Sequence, residues 1–218
     1  QRVGGALMAI VLTLIEHDRG KLAPASLDVL SEGRKLAAKL GAVLHSVTLG
    51  ESADGLASDA SKFGAEVIHQ VHHPLLRDYG PQAWGESVAQ LAKSVGADVI
   101  MATGTDRGNE VLAQVAARME LPMVANCIEL KPSAERWEVV RFRWGGSLWE
   151  RSSLEAPVKI LTLAPHQVEA REYAGAGVLQ AFEPVLDDSS GHTIVRARVE
   201  VEQGCTLATA PVVVSGGR

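Results

Sequence analysis

The run Val212-Val213-Val214-Ser215-Gly216-Gly217-Arg218 combines residue types that suit a nucleotide phosphate. Three valines after Pro211 read as a buried strand, and Ser-Gly-Gly reads as the tight loop that follows it. The two glycines would let the backbone approach a pyrophosphate closely, and the Arg218 guanidinium offers a planar fork for phosphate or for a flat electron-rich ring. Ser215, Gly216, Gly217 and Arg218 are therefore the candidate cofactor-binding residues. On physical grounds alone a simple turn accounts for them equally well. The helix that normally completes such a phosphate site does not follow, so the expectation is that this is the front part of a larger cofactor protein.

Three other groups carry chemical potential. Gly104-Thr105-Asp106-Arg107-Gly108-Asn109 lies between an apolar run and a helical pattern, at the carboxyl end of a strand where open sheets bind ligands. It has two glycines but no Gly-Lys-Ser/Thr, and Asp106 and Glu110 would repel a phosphate while suiting the helix dipole. The reading favoured is that Thr105 or Asp106 caps the helix. His69, His72 and His73 lack the cysteine or acidic companions of a zinc site and read as solvated histidines at a strand end. Glu16-His17-Asp18 has the elements of an acid–base pair in the first strand–helix loop, yet no nucleophile is paired with it, and a solvated polar loop is the favoured reading.

Trp137, Trp144 and Trp149 crowd one segment of a chain with only 4% aromatics, alongside Arg136, Arg141, Arg143 and Arg151. Tryptophan and arginine mark protein–protein hot spots, and cross-strand packing within a hairpin explains the same clustering. These two readings stand level, ahead of a single-stranded nucleic-acid platform.

These residues must be positioned by the elements around them. Apolar runs at Ala6–Ile15, Ala42–Leu49, Glu66–Val71, Asp98–Thr103 and Met123–Ile128 read as strands. Helical patterns fall between them at Pro24–Leu40, Ala53–Phe63, Gln82–Val95 and Asn109–Met119. Gly41-Ala42, Gly64-Ala65 and Gly96-Ala97 repeat the helix–Gly–strand punctuation of an α/β doubly wound, mainly parallel sheet. The right-handed crossover rule gives the strand order 3-2-1-4-5, with Val158–Leu163 added later. Trp137–Trp144 and Ser147–Ser153 flank Gly145-Gly146, an antiparallel hairpin with a two-residue turn. Pro165–Thr209 reads as an irregular C-terminal connecting arm, within which Thr193–Glu202 alternates like a half-exposed strand. The expected organisation is a domain over 1–164, an arm over 165–209, and at 210–218 the first strand and turn of a second domain.

Composition narrows the function classes. The 218 residues are 46% hydrophobic and 22% charged, as in ordinary globular proteins, and the net charge of -5 does not invite nucleic acid or an anionic membrane surface. The apolar stretch Ala6–Ile15 is too short to span a bilayer. Cys127 and Cys205 have no metal spacing and read as reduced thiols. An orphan valine strand at Val212–Val214 would need cover, from the hairpin or from a second copy, so a homo-oligomer of this chain is a further expectation.

At this point the residues match a family. Glu16-His17-x-x-Gly20-x-Leu22 followed by Ser26, Leu75-Leu76-x-x-Tyr79, Thr105-x-x-Gly108 followed by Val115-Ala116-Ala117-Arg118, and Val212–Arg218 together resemble the N-terminal portion of the alpha subunit of electron transfer flavoprotein. Departures occur at Asn109, Gln114, Asn126, Phe142, Trp144 and Ala164. The resemblance implies an electron carrier subunit rather than an enzyme, a scaffold domain that precedes an FAD-binding domain. It implies a heterodimer with the beta subunit, in which the AMP site belongs to the beta subunit. The implied partners are flavin dehydrogenases as donors and a quinone oxidoreductase or other acceptor, in the cytoplasm or, in a eukaryote, the mitochondrial matrix. The resemblance implies FAD in the intact protein, whereas residues 1–218 by themselves are expected to bind none. The alternative reading is a stand-alone adenine-nucleotide-binding module of the same fold.

Overall fold

Strands that are apolar on both faces need cover on both, and here helices lie on either side of one sheet. The computed structural model describes residues 8–134, 136–199, 204–205, 207 and 210–216. Strand β1 (Ile10–Leu14) leads into a small hairpin, β2 (His17–Asp18) and β3 (Lys21–Leu22). Then come α1 (Ala25–Leu40), β4 (Val43–Leu49), α2 (Ala57–Lys62), β5 (Val67–Val71), α3 (Pro81–Val95), β6 (Val99–Thr103), α4 (Asp106–Met119) and β7 (Met123–Lys131). The chain continues through β8 (Trp137–Arg143), β9 (Leu148–Leu154), β10 (Lys159–Leu163) and β11 (Val178–Phe182).

Nine strands form one sheet in the order β11-β5-β4-β1-β6-β10-β7-β8-β9. It is parallel from β11 to β7, and β8 and β9 extend it antiparallel. The expected order of the first five long strands is kept, and β10 is inserted between the fourth and the fifth. The reason is burial: Ile160 and Leu161 point to opposite faces and both are fully buried, which only an interior position allows. β11 is a further difference. It lies within the segment read as an irregular arm, yet it pairs with β5 from Val178↔Val67 to Phe182↔Val71. The alternation expected over 193–202 forms no strand at 193–199, and 200–202 lie outside the described residues.

Alternate residues of each central strand enter two separate cores. Val11, Leu44, Val99, Met101 and Leu161 pack under α1, whose buried Ser26, Val29, Leu30, Gly33, Leu36 and Ala37 recur at helical spacing. Leu12, Leu14, Val47, Ile100 and Ile160 pack under α3 and α4 around Trp84, the largest fully buried side chain. α1 and α3 end on Gly41 and Gly96 in the left-handed conformation, as their Gly-Ala punctuation predicts. The hairpin turn is longer than the expected two residues: Arg143 pairs with Leu148, and Trp144, Gly145 and Gly146 all take positive φ.

The histidines of β5 depart from the sequence reading. His69 is only 2% exposed because it sits inside β5 rather than at its end, and its Nε2 lies 3.0 Å from His45 Nδ1 on β4. Burial, with the neighbouring His45, lowers the His69 pKa to about 4, and burial lowers that of His45 as well. His72 and His73 stay near the surface, where His72 meets Asp54 at 2.8 Å and His73 accepts from the Leu75 amide. Among the described residues no group of three or more His, Cys, Asp or Glu is placed to hold a metal ion.

Because the folded-state pKa of His69 lies below its unfolded value, the unfolded chain binds the extra proton. Stability should be full above about pH 6.5 and fall as the pH drops towards 4, by roughly 3 kcal/mol from this residue. Urea unfolding across that range checks it, and a His69→Asn variant should show a flatter pH dependence. Trp84→Ala should cost about 3–5 kcal/mol in the same assay.

Candidate functional site

The sheet order turns at β1, with β4 on one side and β6 on the other, and this leaves a crevice beyond the carboxyl ends of β1 and β6. Two loops meet there, Glu16–Gly20 after β1 and Gly104–Thr105 before α4. Thr105 caps α4: its Oγ1 accepts from the Gly108 amide at 3.0 Å. The same hydroxyl donates to Glu16 Oε2, so both of its hydrogen-bonding capacities are used. The Glu16 amide in turn donates to Ser26 Oγ at 2.9 Å in the first turn of α1. Gly108 is required by this closeness, since a Cβ there would lie 2.0 Å from the Thr103 carbonyl oxygen.

A phosphate bound at the start of α4 would meet the Glu16 carboxylate. The position that suits an anion on dipole grounds is taken by the protein's own acid, with Asp106 in the first helical turn beside it. The crevice is built to hold its two loops together rather than to receive a nucleotide.

His17 is not the solvated loop residue that its sequence context suggests. It is 4% exposed, 5.1 Å from the Trp84 ring, with Nε2 2.9 Å from the Leu49 carbonyl oxygen and Nδ1 accepting from the Gly20 amide at 3.2 Å. One acceptor and one donor fix the neutral ring with its proton on Nε2, and burial lowers its pKa below the usual value. Arg107 donates to the His17 carbonyl at 3.2 Å and lies over the Tyr79 ring at 4.8 Å. The Tyr79 hydroxyl donates to Glu110 at 2.7 Å, and burial together with that carboxylate raises its pKa.

Around the rim runs a chain of ion pairs that sequence reasoning missed. Arg19 bonds Asp78 at 2.6 and 2.9 Å, and Arg198 bonds Asp18 at 2.6 and 3.0 Å while reaching Asp78 at 3.4 Å. Arg107 lies 3.7 Å from Asp18. Arg198 alternates with its neighbours as an ordinary outward residue, and nothing local signals a partner 180 positions away.

A second feature lies at the same edge of the sheet. The hairpin overhangs a cleft of about 480 Å³ lined by Asn126, Phe142, Arg143, Trp144, Ala164 and Pro165. Phe142 packs edge-on against Trp149 directly across the hairpin at 5.9 Å, so the cross-strand reading holds for that pair. Trp144 and Trp149 nevertheless remain 80% and 70% exposed. Arg141 and Arg143 both reach Glu150, at 2.7 and 3.2 Å. Asn126, with φ of 60°, marks a shift of register where β7 passes from β10 to β8.

The candidate cofactor residues lie away from both features. Val212, Val213 and Val214 form no strand and are exposed, Val214 by 94%, because no neighbouring edge is there to pair with them. The hairpin does not cover them. Ser215 and Gly216 are exposed and belong to no element, and a Cβ on Gly216 would meet nothing within 4 Å. Gly217 and Arg218 lie outside the described residues. Cys127 is buried, which pushes its thiol pKa up to about 12, while Cys205 is exposed; both are free. Among the described residues no helix is long and apolar enough to cross a membrane.

Comparison with known proteins places these features. The electron transfer flavoprotein domain family matches residues 11–186. The chain is 28% identical over 211 residues to the electron transfer flavoprotein subunit alpha of Thermoanaerobacterium thermosaccharolyticum, covering 93% of this chain and 63% of that protein. It is 30% identical over 142 residues to the protein FixB of Azorhizobium caulinodans, covering 63% of this chain and 38% of that one. It is 25% identical over 200 residues to the acryloyl-CoA reductase electron transfer subunit beta of Anaerotignum propionicum, covering 90% and 54%. The chain thus spans less than two thirds of the length of these relatives.

Thr105→Ala removes the α4 cap and strands Glu16, and should cost about 1–2 kcal/mol, while Thr105→Ser should cost much less. Gly108→Ala should cost about 1–3 kcal/mol by overpacking against the Thr103 carbonyl. Denaturant midpoints at constant m-value check both.

Proposed function

The chain belongs to the electron transfer flavoprotein family, and from that premise we propose that it is the N-terminal scaffold of an alpha-type subunit. Its role is to hold the beta subunit and to position an FAD-binding domain. The organisation is then a scaffold over 1–164, an arm over 165–209, and at 210–218 the first strand and turn of the FAD domain. In the intact protein Val212–Val214 are covered by that domain, and Ser215, Gly216, Gly217 and Arg218 approach the FAD. Bound there in the intact protein, FAD would supply the electron-transfer chemistry of the carrier. The proposed donors are flavin dehydrogenases and the acceptor a quinone oxidoreductase or an equivalent, in the bacterial cytoplasm to which the relatives' organisms point.

The observation that carries the scaffold reading is the hairpin. Two tryptophans more than two-thirds exposed, one in the turn and one on β9, beside a cleft and on a hairpin whose two strands are joined by Glu150 and two arginines, have the composition of a subunit contact. The adenine-nucleotide module reading is opposed by Glu16, whose carboxylate holds the Thr105 hydroxyl at the helix terminus a phosphate would need.

Co-expressed with an electron transfer flavoprotein beta subunit, the chain should co-purify with it. Trp144→Ala/Trp149→Ala should weaken that association at least about 30-fold, with an unchanged circular dichroism spectrum. Undiminished binding by the double variant removes the hairpin from the interface. The chain by itself should purify without a stoichiometric flavin absorption band. AMP, ATP and FAD should leave its thermal midpoint in place, whereas a ligand at 100 times its Kd would add about 2.7 kcal/mol.

A further inference from the structure

The arm is fastened to the body in stages. β11 pairs with β5 through five residues. Beyond it, the side chain of Gln90 on α3 bonds the backbone of Val185 in both directions, at 2.8 and 2.9 Å. The turn at Asp188–Gly191 buries Ser190 against the same helix. The Thr193 carbonyl then passes so close to Gly80 that a Cβ there would lie 2.8 Å away. The last fastening is Arg198 on Asp18 and Asp78. Past it, among the described residues, none is buried.

The final contact differs from the earlier ones in its charge balance. On the body alone, Asp18 already faces Arg107 and Asp78 already bonds Arg19, so two carboxylates are matched by two guanidiniums before the arm arrives. Removing Arg198 strands no buried carboxylate. The pair is also open to water, with side-chain exposures of 37% for Arg198 and 47% for Asp18. Exposed ion pairs of this kind hold weakly and are screened by salt. The geometry is nonetheless specific: one guanidinium bridges two carboxylates from separate loops, one in β2 and one just before α3.

From this we propose that Arg198 is a reversible latch, which straps the arm across the carboxyl edge of the sheet and sets where the following chain departs. Closed, the chain beyond residue 198 leaves from above β1, beside the crevice. Open, the tether runs back to the Thr193 contact with Gly80, and residues 194–198 at ~3.3 Å each extend its reach by up to about 16 Å. The Arg198 hydrogen bonds hold the Asp18 carboxyl down to about 2, so the latch stays charged at neutral and mildly acidic pH and is opened by salt or by a competing charge. The inference rests on the arm's own contacts and does not depend on the proposed partners or cofactor.

Trypsin cleavage at Arg196, which is exposed, reports the open arm, because proteases need a flexible segment around the cut. In Arg198→Gln at low salt, cleavage at Arg196 should run about two- to five-fold faster than in the original protein. Asp18→Asn/Asp78→Asn should reproduce that rise, and Arg198→Lys should lie between. In about 0.5 M salt the difference should vanish. Equal rates at low salt, a difference that persists at high salt, or a double variant that leaves the arm protected would each overturn the latch. A thermal midpoint in Arg198→Gln lowered by many degrees would overturn it too, since it would make Arg198 part of the core fold.

Discussion

The parallel pairing of β1 with β6 is the constraint on which the rest of this structure depends. With β4 on the other side of β1, it creates the point at which connections diverge, and it brings the Glu16 and Thr105 loops within hydrogen-bonding range at one edge. Both strands are buried on both faces, so their alternating side chains must satisfy two cores at once. That requirement leaves little freedom of register, since a slip of one residue would exchange every contact between the α1 core and the Trp84 core.

At this edge the molecule spends its polar groups on itself. A helix start and a topological switch usually make a ready anion site. Here a carboxylate accepts the hydroxyl proton of the capping threonine, a buried neutral histidine donates to the Leu49 carbonyl at the end of β4 and accepts from the Gly20 amide in its own loop, and arginines bridge the rim. The fold therefore preserves the geometry of a nucleotide crevice while the side chains convert it into a joint. The exposed, unspent surface lies further along the same edge, at the hairpin, where aromatic area remains open to a partner. This division suits a scaffold, in which stability is internal and binding is peripheral.

The positions of β10 and β11 show how tertiary burial completes what local pattern begins. Val158–Leu163 reads as a buried strand from its composition, but its place between β6 and β7 follows only from the need to cover Ile160 and Leu161 on opposite faces. β11 carries Val178 and Leu179 in exposed positions, so it has no burial signature of its own. It is a strand because the open edge of β5 offers hydrogen bonds, and such an edge is available only once the sheet exists.

Residue order alone settled the class of fold, the alternation of strands and helices, the glycine stops after α1 and α3, and a cap on α4 from Thr105 or Asp106, of which the structure uses Thr105, because each depends on neighbours within a turn or two. The family likeness was legible for a related reason: three of its motifs, at Glu16–Leu22, Leu75–Tyr79 and Thr105–Gly108, follow strand ends, where residue identity matters more than size. Three outcomes required the folded chain. His69 and His17 became buried because of what packs beside them, from β4 and from α3. Val212–Val214 stayed open because a strand needs an edge as well as valines. Arg198 found Asp18 across 180 residues, a contact that no local pattern encodes, since an exposed ion pair is decided by where two surfaces come to rest.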